Sequence, residues 1–597
     1  MAPLNLPARA CHRGLAMVAV AHLVALQYWR RRTPFNDDAE RVYLPLARRL
    51  LSEGPAFMLS PDATQAPPLA YIWPALFGAD LSTQMSISSA LSLGVVALLY
   101  RTGSVLRTPA AGLSCAAAYA FSPLVWPLAA APGVEPLFLF LTACWVWGLA
   151  EGAAGRKWAF LGAGVAIGLA ALSRASAAYV LPCIAIIALV VSRLDKGNRD
   201  TWMRIGLAHG LAVLIVAPLF VANSVRHGLH AVSTGAGAAL FLGNHPLVYG
   251  FEQHYFDAVL DLAAVIPPGM SHLSLEGDRQ LTRVGMFMVR AMDPGFVAQM
   301  AAHKLCAFLF VTNREWVEPP ALLRGYRILL YVLVIGSLAG TMKKPVLVCV
   351  WMFVAIQAAL HVPVLFSFRY SVLTLDVGLA LLAGLGLARI LDERRGKALA
   401  GSIVAFTGLA GFGAWHAIVY PDFPRLNLYG VPHVTERHLR ADMLSVRRVE
   451  RMTKLASGHY RFDGSPASID IDLPGSAFHP FFQTYLSLAG AESPGEGPEA
   501  CDTFHAAYRP AGPGAQAFGP AQRVQWSSVA GARRAVIGGY WKLRMRGAGV
   551  LRLVFDCPSA IDWRIDEATL VRPIAGSAYR NAYLQSIGQD DWQPDAR

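Results

Sequence analysis

Charged residues are scarce in this sequence. They make up 15% of the 597 residues, whereas hydrophobic residues make up 55%, and a soluble domain averages about 25% charged residues. This scarcity excludes an ordinary soluble fold for most of the chain and indicates a protein embedded in lipid. The formal net charge of +13 comes from basic residues that mostly flank apolar runs, where they orient a protein in the membrane. We therefore expect membrane lipid as a partner and no nucleic acid.

The sequence also lacks the short motifs of nucleotide and zinc chemistry. It contains no Walker-type phosphate-binding loop, no dinucleotide-binding glycine fingerprint and no HExxH pair. These absences exclude ATP hydrolysis and the binding of a nucleotide-sugar by the usual loops. The eight cysteines include no zinc-type pair. Cys501 and Cys557 lie in the polar C-terminal part, and a disulfide between them is left open.

Long apolar runs are frequent instead. A helix that crosses a bilayer core needs about 20 apolar residues, with roughly 17 as a working minimum. The sequence therefore predicts an α-helical polytopic membrane protein with about 11 transmembrane helices, in a range of about 11–13. The spans are predicted at residues 12–30, 84–101, 109–127, 134–151, 156–173, 175–193, 203–224, 322–341, 345–364, 371–390 and 398–420. Residues 297–312 are also apolar, and we expect a reentrant or interfacial piece there, with a full span as the alternative.

Short basic loops between these runs set the orientation, because such loops stay on the cytoplasmic side. They lie at residues 101–107, 156–157, 193–204, 343–344 and 394–397. The chain then starts inside and ends outside. This predicts a multi-pass protein of the bacterial inner membrane whose C-terminal part faces the periplasm.

The predicted topology divides the chain into two domains. Residues 1–420 form a transmembrane domain with outer segments at 31–83 and 225–321, and residues 421–597 form a periplasmic domain. Within the first outer segment, residues 38–52 have an amphipathic pattern that suits a helix lying on the membrane surface.

The composition changes sharply after residue 420. The chain becomes rich in Gly and Pro and carries short alternating runs, which predict strands of a β-rich soluble domain. Examples are residues 467–473, 540–545 and 550–555. Aromatic residues are also frequent in this domain, and we favour packing in a sandwich core over stacking on sugar.

Three carboxylates are candidates for catalysis. Asp37 and Asp38 are adjacent just beyond the first apolar run, where mutual repulsion and loss of hydration raise a pKa and favour a proton acceptor or a cation ligand. The alternative is a helix cap. Glu135 lies at the mouth of an apolar run, a costly place for an acid and a default functional candidate. The alternative for Glu135 is a solvated helix start.

Two arginines are predicted to lie at the same outer membrane surface as the three acids. Arg174 is the lone cation in a very short loop between two spans, and Arg369 precedes the tenth span beside Tyr370. Planar guanidinium groups bind phosphate oxygens well. Both side chains therefore either bind phosphate in a cleft or extend to lipid head groups.

Four stretches, taken together and in this order, resemble the integral-membrane GT-C glycosyltransferases related to the aminoarabinose transferases of lipid A and the protein O-mannosyltransferases. The stretches are NDDAERVYLPLARRLLSEG at 36–54, APPLAYIWPALFG at 66–78, IGLAALSRASAAYVLP at 167–182 and VANSVRHGLHAVSTGAGAALFLGNHP at 221–246. The last of them is the most specific. The sequence around Arg369 also resembles the family's Arg-Tyr element.

The resemblance implies an enzyme. Its donor is a sugar on a polyprenyl phosphate, transferred outside the cytoplasm with inversion to a periplasmic glycan, lipid or protein. The family's acidic first-loop residue is the base, a role that falls here to Asp37 or Asp38. The implied substrate-binding residues are Arg174 and Arg369, with Lys304, Arg226, Tyr71, Asn244 and His245 as further candidates. Some relatives use a divalent cation, which Asp37, Asp38 and Glu135 could hold; the metal is left open.

The chain departs from the family pattern at three places, one of which is the Asp37-Asp38 pair, where the family usually has Asp-Glu. Ala66 replaces the usual His or Lys before the Pro-Pro pair, and Ala175 replaces the Pro that usually follows the arginine. The alternative function is a transporter or flippase of an isoprenoid-linked glycan. That class predicts inverted repeats or broken helices in matching halves, and the sequence shows neither.

Overall fold

The computed structural model describes most of the first 392 residues and the strands of the C-terminal part. The described residues are 8–31, 38–244, 266, 270–291, 294–310, 320–341, 344–365, 367–392, 434–440, 445–456, 459–462, 466–473, 485–492, 503–511, 517–518, 521–525, 527–529, 532–537, 549–555 and 562–573. The chain divides into two compact units. One comprises residues 1–243, 273–279 and 298–424, and the other comprises residues 244–272, 280–297 and 425–597.

The described residues of the N-terminal two thirds are almost entirely helical, as the apolar runs predict. The α-helices are α1 (Ala8–Arg30), α2 (Leu44–Glu53), α3 (Pro68–Leu76), α4 (Leu81–Leu106), α5 (Pro109–Ala120), α6 (Val125–Ala130), α7 (Glu135–Ala153), α8 (Ala159–Ser173), α9 (Ala175–Leu194), α10 (Arg199–His227), α11 (Ala236–Gly243), α12 (Leu275–Ala291), α13 (Pro294–Phe310), α14 (Pro320–Thr341), α15 (Pro345–His361) and α16 (Phe368–Asp392).

Six of these helices are long and apolar enough to cross a membrane, namely those at Arg9–Arg30, Leu81–Leu106, Glu135–Ala153, Ala175–Leu194, Lys196–His227 and Arg369–Leu391. Four shorter apolar helices accompany them, at Ala159–Ser173, Met300–Leu309, Gly325–Ile335 and Pro345–His361. The predicted α-helical polytopic fold is confirmed. The eleventh predicted span, at 398–420, lies outside the described residues.

The third predicted span, at residues 109–127, is not one continuous helix. Helix α5 ends at Ala120, and the chain turns before α6 begins at Val125. Pro123 lies in this turn, and a proline disfavours helical geometry in the residue before it. The break places Ser122 inside the bundle, where its side chain is 1% exposed.

The segment after α1 forms a small apolar layer. A π-helical turn, Ala39–Tyr43, leads into α2, which carries Pro45 in its first turn. Leu44, Leu46 and Ala47 of α2 are buried in a cluster that also contains Tyr71 of α3. The amphipathic helix predicted at 38–52 is therefore confirmed as a π-helical turn followed by α2.

Helices α4, α5 and α16 approach one another closely at glycines. A Cβ atom on Gly384 of α16 would lie 2.4 Å from the backbone of Cys115 in α5. A Cβ on Gly103 of α4 would lie 2.8 Å from the Cα of Gly112 in α5. Larger side chains at these positions would push the helices apart. The glycines therefore allow α5 to pack closely between α4 and α16.

The C-terminal part of the chain is β-rich, as its alternating pattern predicts. Its strands are β1 (Val434–Arg440), β2 (Ser445–Glu450), β3 (Met452–Ala456), β4 (His459–Phe462), β5 (Ala467–Leu473), β6 (Tyr485–Glu492), β7 (Thr503–Pro510), β8 (Gln522–Gln525), β9 (Ser527–Val529), β10 (Ala532–Ile537), β11 (Gly549–Phe555) and β12 (Asp562–Pro573). Two of the predicted runs are strands here, β5 and β11. The third run, at 540–545, and both Cys501 and Cys557 lie outside the described residues.

These strands form two antiparallel sheets. The seven-stranded sheet has the order β3-β4-β12-β6-β10-β9, with β1 also paired to β12, and the five-stranded sheet has the order β2-β5-β11-β7-β8. In the five-stranded sheet Asp470 lies opposite Arg552, and both nitrogen–oxygen distances of this pair are 2.7 Å. Cross-strand pairs of opposite charge stabilise a sheet.

Candidate active site

Asp38 occupies the first position before the π-helical turn, and its carboxylate does not cap that turn. It forms an ion pair with the Arg369 guanidinium at the start of α16. The Asp38 side chain is 39% exposed, so it is accessible to solvent while it contacts the arginine. Of the two roles considered from the sequence, capping is wrong for the Asp38 side chain, because the backbone at this residue is already helical and the carboxylate is held by the arginine.

Glu135 begins α7 and is followed by Pro136, a favourable first-turn residue. Its side chain is only 1% exposed and lies between two guanidinium groups. One Oε1–Nη1 distance, to Arg174, is 3.2 Å, and the other, to Arg369, is 3.6 Å. The helix N-terminus also favours a negative charge at this place. Glu135 is therefore a buried acid with two cationic partners, and the solvated helix start considered from the sequence is wrong.

Arg174 is the single residue between α8 and α9, with extended backbone at φ −143° and ψ 110°. Its side chain is 12% exposed, so it does not extend into open solvent. The guanidinium carbon lies 5.1 Å from the centre of the Tyr370 ring, within the range of a cation–π contact. This one-residue link confirms the very short loop expected from the sequence.

The four side chains form one cluster, which we call the charge cluster: Asp38, Glu135, Arg174 and Arg369. They come from four separate places in the chain. Their formal charges cancel, since two carboxylates face two guanidinium groups. The sequence placed the acids and arginines at one predicted membrane surface, and the structure brings these four side chains together. Asp37 lies outside the described residues.

Tyr43 and His361 are neighbours of the cluster that the sequence analysis missed. Burial, and then the nearby carboxylates of Asp38 and Glu135, raise the pKa of the Tyr43 hydroxyl far above its usual range, so the hydroxyl stays protonated and can donate a hydrogen bond. The His361 ring stacks on Tyr370 with ring centres 4.7 Å apart. The proximity of Tyr43 to Asp38 in the sequence was the available signal, whereas nothing local pointed to His361.

A small open cleft adjoins the cluster. Its polar lining consists of Tyr43 and Gln84, and Trp73 supplies an aromatic surface. The Gln84 side-chain nitrogen is buried without a hydrogen-bond partner among the described residues. The cleft also contacts Ala39 and Val134, each adjacent in sequence to a carboxylate of the cluster.

The remaining predicted binding residues lie in other surroundings. Lys304 is buried, and its ammonium donates to the backbone carbonyls of Gly243 at 2.8 Å and Val364 at 3.0 Å. Tyr71 is buried in the apolar layer, where burial raises its pKa to about 12. Arg226 is exposed near the end of α10. These placements favour positioning or packing for Lys304 and Tyr71, and their roles toward a substrate stay predictions.

The motif at 221–246 is held by hydrogen bonds among its own backbone and its neighbours. The Asn223 amide donates to the carbonyls of Ala231 and Val232. The Thr234 hydroxyl lies 3.1 Å from the Thr64 carbonyl and 2.6 Å from the Leu273 carbonyl. This part of the motif therefore holds the loop that follows α10 against the segments that contain Thr64 and Leu273. Asn244 is buried, and His245 lies outside the described residues.

The sequence left a divalent cation open, and Asp37 of the candidate set Asp37, Asp38 and Glu135 lies outside the described residues. No group of three or more His, Cys, Asp or Glu side chains that could hold a metal occurs in the part of the chain that the structure describes. The carboxylates of Asp38 and Glu135 are each engaged by arginine. The ring nitrogens of the buried His22 form hydrogen bonds with the Ala120 carbonyl and the Ser92 hydroxyl, so both are already engaged within the helix bundle.

The fold and the cluster together define a multi-pass membrane protein with an ionic site at its helix ends. Residues 66–221 match the family model for dolichyl-phosphate-mannose-protein mannosyltransferase. This match confirms the predicted resemblance to the GT-C glycosyltransferases, and it includes Glu135 and Arg174. No curated protein matches the chain.

Two solved structures are similar to this chain at low identity. ArnT from Cupriavidus metallidurans bound to undecaprenyl phosphate is 14% identical, with coverage of 63% of this chain and 77% of ArnT and a TM-score of 0.27. The arabinosyltransferase EmbB from Mycobacterium smegmatis is 13% identical, with coverage of 96% of this chain and 65% of EmbB and a TM-score of 0.26.

Proposed function

We propose that this protein is an inverting glycosyltransferase that moves a sugar from a polyprenyl-phosphate donor to a periplasmic glycan, lipid or protein. The observation that carries the proposal is the charge cluster, in which two acids are held by two guanidinium groups at the ends of membrane helices. Such a transfer needs a base beside the acceptor hydroxyl and cations beside the departing phosphate. The cluster contains both kinds of group.

The two arginines are suited to the leaving group. A sugar bound through polyprenyl phosphate carries one negative charge on its phosphodiester, and the released polyprenyl phosphate carries up to two. Arg174 and Arg369 are largely buried, with side chains 12% and 20% exposed. Charge-assisted hydrogen bonds to phosphate strengthen as the phosphate charge grows, so these groups stabilise the transition state more than the ground state.

Asp38 is the better placed base of the two described acids. Its side chain is 39% exposed, whereas that of Glu135 is 1% exposed. A donor phosphate that binds Arg369 competes with the Asp38 carboxylate, and the freed carboxylate then accepts a proton. Glu135 keeps its contacts with both guanidinium groups and holds them in place. Asp37 remains the alternative base from the sequence.

The proposed step balances as follows. The acceptor hydroxyl oxygen forms a bond to the anomeric carbon, and the bond between that carbon and the phosphate oxygen breaks. The hydroxyl proton passes to Asp38, and polyprenyl phosphate leaves with the electron pair. Attack from the face opposite the phosphate inverts the anomeric carbon. The cleft lined by Tyr43, Trp73 and Gln84 is where we place the reacting sugar or the acceptor.

The proposed function also implies an orientation of the protein in the membrane. The donor phosphate must meet the charge cluster at a membrane surface, and the basic loops predict that this surface is periplasmic. We therefore place the protein in the bacterial inner membrane, with the cluster and the β-rich domain in the periplasm.

The test uses the full-length protein reconstituted in vesicles with a polyprenyl-phosphate sugar labelled in the sugar. Wild type is expected to release polyprenyl phosphate and label an acceptor. Asp38→Ala should lower turnover at least about a hundredfold, as expected for loss of a general base, without loss of folded protein. Glu40→Ala is the matched control, since Glu40 is an exposed acid in the same turn.

Three outcomes would overturn the proposal in different ways. Normal turnover in Asp37→Ala, Asp38→Ala and the double variant would remove the base assignment. Movement of intact donor between leaflets without cleavage would establish the flippase instead. Absence of any release with several donor sugars and acceptor extracts would reject the enzyme class.

A further inference from the structure

A second ion pair lies inside the helix bundle, away from the charge cluster. Arg327 of α14 and Asp376 of α16 are 2.7 Å apart, and their side chains are 0% and 2% exposed. Charged residues within membrane helices are costly and are functional candidates by default. The proposed transfer step does not use either residue.

The pair connects three parts of the bundle. Ser122, in the break between α5 and α6, donates to the other oxygen of Asp376 at 3.3 Å. Tyr326, adjacent to Arg327, donates to the carbonyl of Ala118 in α5. Helix α16 is thus tied to α14 and to the chain segment that leads through α6 toward Glu135.

Asp376 and Arg369 lie on the same face of α16. They are seven residues apart, which is close to two helical turns and a rise of about 10.5 Å. Arg369 contacts Asp38 and Glu135, and Asp376 contacts Arg327. A rotation of α16 about its axis that separated Asp376 from Arg327 would also move Arg369 away from Asp38 and Glu135.

The geometry of the pair is not what stability alone would select. The Tyr331 hydroxyl lies beside the buried Arg327 guanidinium, but Nε and Nη1 of that group make no well-formed hydrogen bond among the described residues. Desolvation of a buried ion pair offsets much of its attraction, and apolar residues of similar volume are often as stable or more stable. A directional contact of this kind is better suited to fixing one rotation of a helix than to holding the bundle together.

We infer that Arg327 and Asp376 are positioning residues that fix the rotation of α16, so that Arg369 faces Asp38 and Glu135. This inference rests on the proposed function for its catalytic consequence, but the positioning itself does not. Both residues act through Arg369 and touch neither donor nor acceptor.

The test replaces the pair by apolar residues of similar size, Arg327→Met with Asp376→Leu, in the full-length protein. The variant is expected to melt within a few degrees of wild type. Its affinity for polyprenyl phosphate should fall at least about tenfold, and kcat should fall with it. The exchanged pair, Arg327→Asp with Asp376→Arg, should recover much of the affinity. Leu379→Met is the control, a change at a buried position of the same helix.

A second measurement does not depend on catalysis. Cysteines introduced by Asp38→Cys and Arg369→Cys are joined by a short bis-maleimide in backgrounds with and without the apolar pair. The yield of the cross-link between positions 38 and 369 is expected to fall severalfold when the apolar pair replaces Arg327 and Asp376, because α16 then no longer holds position 369 toward position 38. Unchanged cross-linking, or full affinity and turnover in a folded apolar-pair variant, would overturn the inference. Reduced cross-linking in a protein whose wild type shows no transfer would leave the positioning intact and reject the proposed function alone.

Discussion

Replacing Glu135 by Gln tests whether the charge cluster is an anion site completed by a carboxylate. The wild-type oxygen lies 3.2 Å from Arg174 and 3.6 Å from Arg369. At an effective dielectric constant of about 20, each contact contributes about 5 kcal/mol of attraction before desolvation. Breaking a buried pair by removing one partner costs about 3–5 kcal/mol. Gln keeps the shape of Glu and one hydrogen-bond acceptor. We therefore expect the free energy of unfolding to fall by the lower end of this range, about 3 kcal/mol.

The change also leaves the cluster with one uncompensated positive charge. A bound phosphate would supply the missing negative charge, so polyprenyl phosphate should bind Glu135→Gln about tenfold more tightly than wild type, which corresponds to about 1.4 kcal/mol. It should raise the melting temperature of the variant more than that of wild type. Turnover should fall, because release of the product becomes slower and the arginines are less precisely held.

The matched control lies at the other end of the same helix. Glu151 of α7 is 5% exposed in its side chain and also has two arginine partners, Arg156 at 3.2 Å and Arg101 at 3.6 Å. These arginines are exposed, at 58% and 56%, so water screens them when the carboxylate is lost. Glu151→Gln should therefore cost less stability than Glu135→Gln and should leave phosphate affinity unchanged.

The assay compares thermal unfolding of the three proteins in detergent, with and without polyprenyl phosphate, and titrates the lipid by calorimetry. A larger loss of stability in Glu135→Gln than in Glu151→Gln, reversed by the lipid only in Glu135→Gln, is the expected result. Equal lipid affinity in all three proteins would refute the view that the two arginines form the phosphate site.

Two further predictions concern the loops around the site. Gly243→Ala should destabilise the protein by about 1–3 kcal/mol, because its Cβ would lie 2.1 Å from the backbone nitrogen of Leu365. Gly162→Ala is the control, since a Cβ there would have nothing within 4 Å. Equal melting temperatures of the two variants would contradict the close approach of Gly243 to Leu365. Burial raises the pKa of Asp278 above its usual value, despite the backbone N–H bonds it accepts. Its contribution to the free energy of unfolding is then largest below the unfolded pKa and falls as pH rises through the folded pKa. Asp278→Asn should lack this fall as the pH rises above the ordinary aspartate pKa of about 4, measured by chemical denaturation, and parallel pH profiles would refute the assignment.

Local patterns were sufficient for the element types. Apolar runs of helix length and period-two runs predicted the membrane helices and strands such as β5 and β11, because burial in lipid or in a sheet imposes those periods on nearby residues. The break after α5 was missed, since an apolar run has the same composition whether or not the helix is continuous. The capping role considered for Asp38 was wrong because a cap is a local expectation, whereas Arg369 is a distant competitor for the same carboxylate.

The sequence by itself determined that this chain spans a membrane, carries a β-rich C-terminal part and has isolated acids and arginines at the ends of apolar runs. A charged residue within or beside an apolar run can be recognised from the sequence, because removing its charge from water is costly wherever it occurs. Only the tertiary structure decided which charges meet. It brought Asp38, Glu135, Arg174 and Arg369 together from distant helices, and it paired Arg327 with Asp376 inside the bundle. Such contacts depend on how helices pack and rotate against one another, which the spacing of residues along the chain does not specify.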